Sequence, residues 1–206
     1  MKIHKYVIGI DVGFRNMGLS LFKVDNGKFK FIDCKVIQTD TKLKKQMSVT
    51  DLNILRNIIL VNGIIDFINS NINFPLVLKG RIKLFGAFEF PHGGSKSQAA
   101  VRGMSMSTAI VVTFFTIFNI PFENVKPSEV KFAVTGKKDG KKEKIIKVIS
   151  RKLKRHKNKI SKRLPLSPRS RKKFPPTYEH FADSVGAIMY MRKNSKKYKL
   201  FIKGKL

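Results

Sequence analysis

The chain of 206 residues contains only one cysteine, Cys34. A single thiol cannot form a disulfide within the chain, and it cannot build a cysteine-rich zinc site. We therefore expect Cys34 to be a small buried apolar residue. The cysteine count excludes both a disulfide framework and a cysteine-rich metal centre as the basis of the fold.

Acidic residues are the second scarcity. The chain has 13 acids against 43 lysines and arginines, which gives a formal net charge of +30. A protein of such charge favours a polyanionic partner, and nucleic acid is the leading candidate. Ribosomal proteins and proteins of the membrane surface share this composition, so composition alone does not choose among them.

Long apolar segments are also few. The N-terminal sequence MKIHKYVIGIDVG lacks an extended apolar signal region, so we expect an intracellular protein that is found in the cytoplasm with DNA. The longest uncharged run lies between Arg102 and Glu123 and is marginal in length for a membrane span. Its serines and threonines dilute its apolar character. We expect a buried core helix there and no membrane association.

What the chain does contain is organised around residues 6–24, YVIGIDVGFRNMGLSLFKV. Apolar residues on either side of Gly13 and Gly18 predict a strand, a glycine-bearing turn and a second strand. Asp11 interrupts the first of these strands, and a carboxylate inside a buried strand is costly unless it is paired or binds a metal. The alternative is that Asp11 simply ends the strand and caps the turn.

Apolar periodicity predicts the remaining elements. An Asn26-Gly27 turn should join the second strand to an antiparallel third. The strands should cover residues 6–10, 19–24, 28–38, 85–90 and 120–125, and the helices residues 49–69, 99–118, 127–134, 141–153 and 178–192. Loops are expected at 39–47 and 91–98. Such an order predicts a mixed α/β sheet with helices on both faces.

One stretch of the chain is extremely basic. No acid occurs between residues 144 and 178. Lysines and arginines crowd residues 151–173, and four prolines lie between residues 165 and 176. Prolines at this density predict a loop or mobile arm. Contact with nucleic acid is favoured over a merely solvated surface, because the charge is of one sign. We expect a single domain over residues 1–206, with a basic proline-rich insertion at about 151–177 and a basic, frayed C-terminal tail at about 193–206.

Three acids lie in apolar surroundings and are candidates for chemistry: Asp11, Glu89 and Asp183. If the fourth strand lies beside the first, Asp11 and Glu89 become neighbours, and a helix packed over that edge can add Asp183. Carboxylates so close repel one another unless divalent cations lie between them, and oxygen ligands suit Mg²⁺ or Mn²⁺. Asp183 near a helix N-terminus also has a simpler explanation, which is the helix dipole.

Five segments in this order resemble the RuvC family of Holliday-junction resolvases, most closely the phage-type crossover junction endodeoxyribonucleases. They are GIDVGFRNMGLS, FEFP, SKSQAAVRGMSMSTAIV, VKPSEVKFAVTGKKDGKKEKI and EHFADSVGAI. The resemblance implies an RNase H-like fold with a mixed five-stranded sheet. It also implies a homodimer that uses two Mg²⁺ ions per active site, with Mn²⁺ as a substitute, to nick opposed strands of a four-way junction.

The resemblance also implies roles for particular residues. The catalytic and metal-binding set is Asp11, Glu89, His180 and Asp183. The DNA-binding set is Lys131, Lys144, Arg102 and Lys96. Asp11 matches the aspartate that bridges both metals, whereas His180 matches a position that either binds one metal or transfers a proton.

Two other functions remain open from the sequence. A related nuclease of the same fold could cut forks, flaps or RNA–DNA hybrids, because phosphate-binding lysines carry no structural preference. A non-enzymatic nucleic-acid-binding protein would have the same composition. The buried acids argue against the second alternative, since they would be unfavourable at a DNA-binding face without a metal.

Overall fold

The computed structural model describes residues 3–39, 47–90, 97–164 and 177–206. Its centre is a five-stranded mixed sheet. The strands are β1 (His4–Asp11), β2 (Asn16–Asp25), β3 (Lys28–Gln38), β4 (Ile82–Glu89) and β5 (Phe122–Val125). They lie in the order β3-β2-β1-β4-β5. β1 is antiparallel to β2 and parallel to β4, and β4 is parallel to β5.

Eight α-helices pack around this sheet in the described residues. They are α1 (Val49–Asn69), α2 (Phe74–Leu78), α3 (Gln98–Ile117), α4 (Pro127–Thr135), α5 (Lys142–Lys152), α6 (Lys157–Arg163), α7 (Tyr178–Asn194) and α8 (Lys196–Ile202). A 3₁₀ turn at Lys154–His156 joins α5 to α6.

The predicted mixed sheet with helices on both faces is confirmed. Val7 of β1 belongs to a core shared with α4 to α8, whereas Ile8 and Ile10 belong to a second core shared with α1, α2 and α3. This alternation is expected for a central strand whose successive side chains point to opposite faces. The predicted Asn26-Gly27 turn is also confirmed, since both residues have positive φ angles, 48° and 71°.

Helix α3 is less buried than predicted, because only one of its faces packs on the sheet. Among the described residues it alone is long and apolar enough to cross a membrane by length and composition. Its Val111, Phe114 and Phe115 are buried in the core on one face of the sheet. Apolar residues therefore serve packing against the sheet at these positions.

Two expectations about the basic segments were wrong. Of the predicted arm at 151–173, the part up to Arg163 is helical, and its Leu153 and Ile160 are buried in the core. The C-terminal tail is not frayed, because α8 buries Tyr198 and Phe201 against the sheet. In both places, apolar residues a few positions apart give a short helix a buried face, which outweighs the charge of its other residues. The four prolines lie at 165–176, outside the described residues, as does most of the loop predicted at 39–47.

Cys34 is buried and free, as expected. Burial, with a smaller effect of the adjacent Asp33 carboxylate, raises the pKa of its thiol to about 12. The thiol is therefore protonated at neutral pH and suited to packing rather than to chemistry.

Candidate active site

Asp11 and Glu89 lie side by side where two neighbouring parallel strands end. Asp11 is the last residue of β1, Glu89 is the last residue of β4, and the two are paired in the strand register. The carboxyl ends of parallel strands meet at one edge of a sheet, where side chains from separate strands converge. The predicted pairing of these two acids is confirmed.

Helix α7 reaches the same edge because two glycines let it approach the sheet closely. A β-carbon at Gly18 of β2 would fall well inside van der Waals contact with the carbonyl oxygen of His180, and one at Gly9 of β1 would do the same with Ser184. Only a residue without a side chain fits beneath the helix backbone at these points. The close approach sets the N-terminal part of α7 over the end of β1.

The docking of α7 places His180 against Asp11. The Nδ1 atom of His180 is 2.7 Å from Oδ2 of Asp11, and both side chains are largely buried, with 28% and 17% exposed. Burial alone would lower the pKa of His180, but the hydrogen bond to Asp11 and the surrounding carboxylates outweigh it, so the pKa is raised. The carboxylate therefore orients the imidazole and favours its protonated form.

Burial and mutual repulsion control the two other acids. Burial first, then the charges of Asp11 and Asp183, raise the pKa of Glu89 to about 9. Burial and the charge of Asp11 also raise the pKa of Asp183, to about 7. Oε2 of Glu89 is buried and has no hydrogen-bond partner among the residues that the structure describes. A buried carboxylate oxygen without a partner is costly, so this atom indicates a site adapted to something that binds there.

Two lysines face this acid cluster. Lys131 of α4 and Lys142 at the start of α5 both act to lower the pKa of Glu89. Lys142 also forms a hydrogen-bonded ion pair with Glu179, and the hydrogen bond to Glu179 raises the pKa of Lys142. The cluster of acids is thus bordered by fixed cations, as is useful for an anionic substrate.

Comparison with solved structures identifies the fold. Thermus thermophilus RuvC matches with a TM-score of 0.57 and 17% identity over 97% of both chains. The same protein in complex with a Holliday junction substrate matches with a TM-score of 0.57 and 16% identity, over 90% of this chain and 91% of that one. The chain has the RuvC fold.

A third structure extends this likeness. The yeast mitochondrial Holliday junction resolvase Ydc2 matches with a TM-score of 0.51 and 16% identity, over 97% of this chain and 84% of its own. No protein-family model matches the sequence, and no curated protein matches it significantly. At these identities the structures show a shared fold, and the predicted resemblance to RuvC is confirmed at that level.

Within the RuvC fold, the structure brings together all four residues predicted to be catalytic, and Lys131 beside them. The predicted Lys144 is different. It lies two positions beyond Lys142 on α5, which corresponds to a rotation of about 200° around a helix. Both lysines are exposed, but Lys142 lies on the side of α5 that faces the acids and Lys144 lies on another side.

Of the other two predicted DNA-binding residues, the structure describes only Arg102. Arg102 is exposed near the start of α3, and no contact joins it to the acids in the described part of the chain. Lys96 lies outside the described residues. Lys142 was not predicted from the sequence, because the loop that precedes α5 contains glycine and leaves the rotation of α5 about its own axis undetermined. Glu179 was also left out of the predicted site, although this residue holds Lys142 at the edge of the site.

The donor atoms of the site suit a hard divalent cation. Asp11, Glu89 and Asp183 supply carboxylate oxygens of the kind that Mg²⁺ and Mn²⁺ prefer, and Glu89 offers an unpartnered oxygen. Within the described residues, no three acid, histidine or cysteine side chains are already grouped as ligands around one point. The residues fit a metal in chemical type, and His180 occupies one oxygen of Asp11.

Proposed function

We propose that this protein is a metal-dependent endodeoxyribonuclease that resolves four-way DNA junctions. One observation carries the proposal: buried acids converge at the end of β1 and β4, one of them with an unpartnered oxygen, in a protein of net charge +30. Such a cluster is unfavourable beside a polyanion unless cations neutralise it. The RuvC fold supports this proposal, because the solved neighbours of that fold include resolvases.

The metal would be held by Asp11, Glu89 and Asp183, with His180 as a further ligand or a proton carrier. We propose Mg²⁺ as the natural ion, at two ions per site, with Mn²⁺ as a substitute. When bound, such ions activate water and stabilise the leaving oxygen in phosphodiester hydrolysis. Ion binding requires Glu89 to lose a proton, since its pKa is raised to about 9.

The protein's own residues orient the reaction. Asp11 holds the imidazole of His180 through Nδ1, so the other ring nitrogen is free to exchange a proton with substrate or solvent. Lys131 and Lys142 border the acids and would bind the phosphate that is cut, which brings the scissile bond to the cluster. Lys142 is kept in place by Glu179.

The proposed substrate is the four-way junction, and the proposed assembly is a homodimer within the cell. A solved structure of RuvC contains a Holliday junction substrate, which supports the choice of substrate. One acid cluster is found in the described part of this chain, so paired cuts on opposed strands need two subunits. A two-fold dimer would present two equivalent sites to a junction that is itself nearly symmetric.

The test is cleavage of labelled four-way junction, fork, flap and linear duplex DNA, with and without Mg²⁺. Asp11→Asn should abolish cleavage and leave DNA binding intact, because it removes a charge from the acid cluster without changing shape. Asp66→Asn is the matched control, since Asp66 is an exposed aspartate on α1. The Asp66→Asn protein should cut like the wild type.

The outcomes separate the alternative functions. Cutting confined to the four-way junction and dependent on both metal and Asp11 supports the resolvase. Equal cutting of forks and flaps would instead indicate a broader branched-DNA nuclease of the same fold. An absence of cutting in Mg²⁺ and Mn²⁺, with binding intact, would contradict the enzyme and leave a basic DNA-binding protein.

A further inference from the structure

The segment from α5 to α6 carries charge of almost one sign. Residues 141–163 contain twelve lysines and arginines and a single acid, Glu143. Its buried side supplies Ile145, Ile149 and Ile160 to the core, so the charged residues lie on the outer surface. The segment is thus a folded, core-anchored part of the protein with one strongly basic surface.

The basic residues on α5 form a continuous stripe. Lys147 and Arg151 are four positions apart, which places them on the same face of the helix, and Lys154 follows in the adjoining 3₁₀ turn. All three are exposed. We call Lys147, Arg151 and Lys154 the α5 stripe.

The start of α5 lies at the candidate active site, whereas the stripe begins further along the helix. Lys142 at the start of α5 is paired with Glu179 beside the acid cluster. From there the 11 residues of α5 extend for about 16 Å at the helical rise per residue. Lys147 is five positions beyond Lys142, which corresponds to a rotation of about 140° around the helix, so the stripe lies on a different side of α5 from the acid cluster.

An ion pair with the buried Asp33 holds the far end of the segment, at α6. Asp33 of β3 is 1% exposed, and its two carboxylate oxygens accept hydrogen bonds of 3.2 and 2.7 Å from Nε and Nη2 of Arg163, at the end of α6. Lys159 approaches the same carboxylate at 3.9 Å, and the backbone N–H of Cys34 also donates to it. This bidentate contact sets the position of α6, and with it the orientation of the basic surface.

A solvated helix face explains why these positions are polar, but it does not explain the uniform sign. Like charges three or four positions apart destabilise a helix, and a surface of mixed charge would avoid that effect. The repulsion is relieved when phosphates bind along the surface. We propose that the α5 stripe is a binding surface for the sugar–phosphate backbone of duplex DNA, separate from the acid cluster.

This inference rests on the proposed function only in taking DNA as the ligand. It adds that the protein holds a duplex arm away from the point of cutting. Binding at the stripe is electrostatic and independent of sequence, so it strengthens affinity for any duplex. Cleavage itself depends on the acids and on the lysines beside them.

The experiment compares two triple variants by their binding to a short linear duplex in EDTA over a range of salt concentrations. The stripe variant is Lys147→Gln, Arg151→Gln and Lys154→Gln, in which glutamine keeps helix propensity and removes charge. The control variant changes Lys196, Lys199 and Lys203 of the exposed face of α8 and its C-terminal cap to Gln, which removes the same charge elsewhere. Equal melting temperatures establish that all variants are folded.

The stripe variant should bind the duplex at least about tenfold more weakly, and the slope of log affinity against log salt should fall by about two to three units. The control should stay close to the wild type. A second stripe variant, with Lys147→Arg, Arg151→Lys and Lys154→Arg, should restore affinity because it restores the charges. At saturating four-way junction, the glutamine variant should keep its turnover rate and show only a raised KM.

Two results would overturn the proposal. One is a stripe variant that binds duplex like the wild type, and the other is an equal loss in the α8 control, which would mean that only net charge matters. Because the binding readout needs no cleavage, a protein that cuts no DNA would contradict the proposed function while the stripe is still judged by its affinity.

Discussion

At the scale of single residues, Glu89 shows how burial and neighbouring carboxylates keep an acid of the site protonated. Burial and the neighbouring carboxylates raise its pKa from 4.5 to about 9, so at neutral pH the metal-free protein keeps this carboxyl protonated. The folded state thus binds the proton more tightly than the unfolded state. The proton on Glu89 therefore stabilises the folded state fully below about pH 4.5, and this stabilisation is lost as the pH rises towards 9.

We therefore predict that Glu89→Gln flattens the dependence of stability on pH. In EDTA, the melting temperature of the wild type should fall between pH 5 and 9 relative to that of the variant, by about 3 °C or more. Mg²⁺ should reverse the fall in the wild type and have little effect on the variant. Thermal denaturation measures both the pH dependence and the effect of Mg²⁺. Glu143→Gln, at an exposed position of α5, is the control. Identical pH profiles for the wild type and Glu89→Gln would contradict this account.

A second prediction separates two lysines of α5. Lys142→Ala should slow junction cleavage about 10²-fold, as expected when a donor aimed at the reacting phosphate is removed. Lys144→Ala should have a much smaller effect, because Lys144 is rotated by about 200° around α5 from Lys142, which faces the acids. Single-turnover rates at saturating junction provide the comparison. The reverse order of effects would mean that Lys144 contacts the phosphate, as the sequence resemblance implied.

The residues of the site differ in how far the sequence could predict them. Asp11 and Glu89 could be predicted, because each ends a strand and parallel neighbours bring such ends together. The contact between His180 and Asp11 could not, since it depends on how closely α7 packs on the sheet. Lys142 was missed for a similar reason, because the rotation of α5 follows from its tertiary packing.

At the scale of elements, the docking of α7 on β1 and β2 is the decisive contact. It depends on Gly9 and Gly18, which leave room for the helix backbone. The sequence suggested turn glycines around this hairpin, but Gly18 lies within β2 and serves helix packing. A close approach of two backbones leaves no periodicity in the sequence, so only the structure shows it.

We predict that Gly18→Ala moves α7 away from the sheet. The added methyl group would overlap the carbonyl oxygen of His180, and overpacking of this kind costs about 1–3 kcal/mol. Stability measured in urea should fall by that amount, and cleavage should fall further because His180 and Asp183 lose their places. A Gly18→Ala protein with wild-type stability and cleavage would show that α7 does not need this close contact.

The short helices α6 and α8 could not be predicted from the pattern of apolar residues in their sequences. Lysines dominate both sequences, and charge density of this kind predicts an exposed arm or tail. Single apolar residues decide otherwise, since Ile160 of α6 and Phe201 of α8 are buried in the core. Helices of one or two turns have too few apolar positions for a periodic signal, and tertiary packing stabilises them instead.

At the scale of the whole molecule, acids and bases are separated. The few carboxylates of the site meet at one edge of the sheet, while the net charge of +30 lies largely on surrounding surfaces such as the α5 segment. A polyanion is attracted by the surface and would be repelled by the acids. The proposed divalent metal would resolve this conflict, because it would neutralise the acids and bind the phosphate.

The central claim is that one acid cluster per subunit makes paired, metal-dependent cuts in a four-way junction. The most direct measurement maps the nicks on all four end-labelled strands of a junction after incubation with Mg²⁺. The account predicts nicks at symmetric positions on two opposed strands, and none with Asp11→Asn. Nicks scattered over all four strands and along the duplex arms, or nicks that persist in the Asp11→Asn protein, would contradict it.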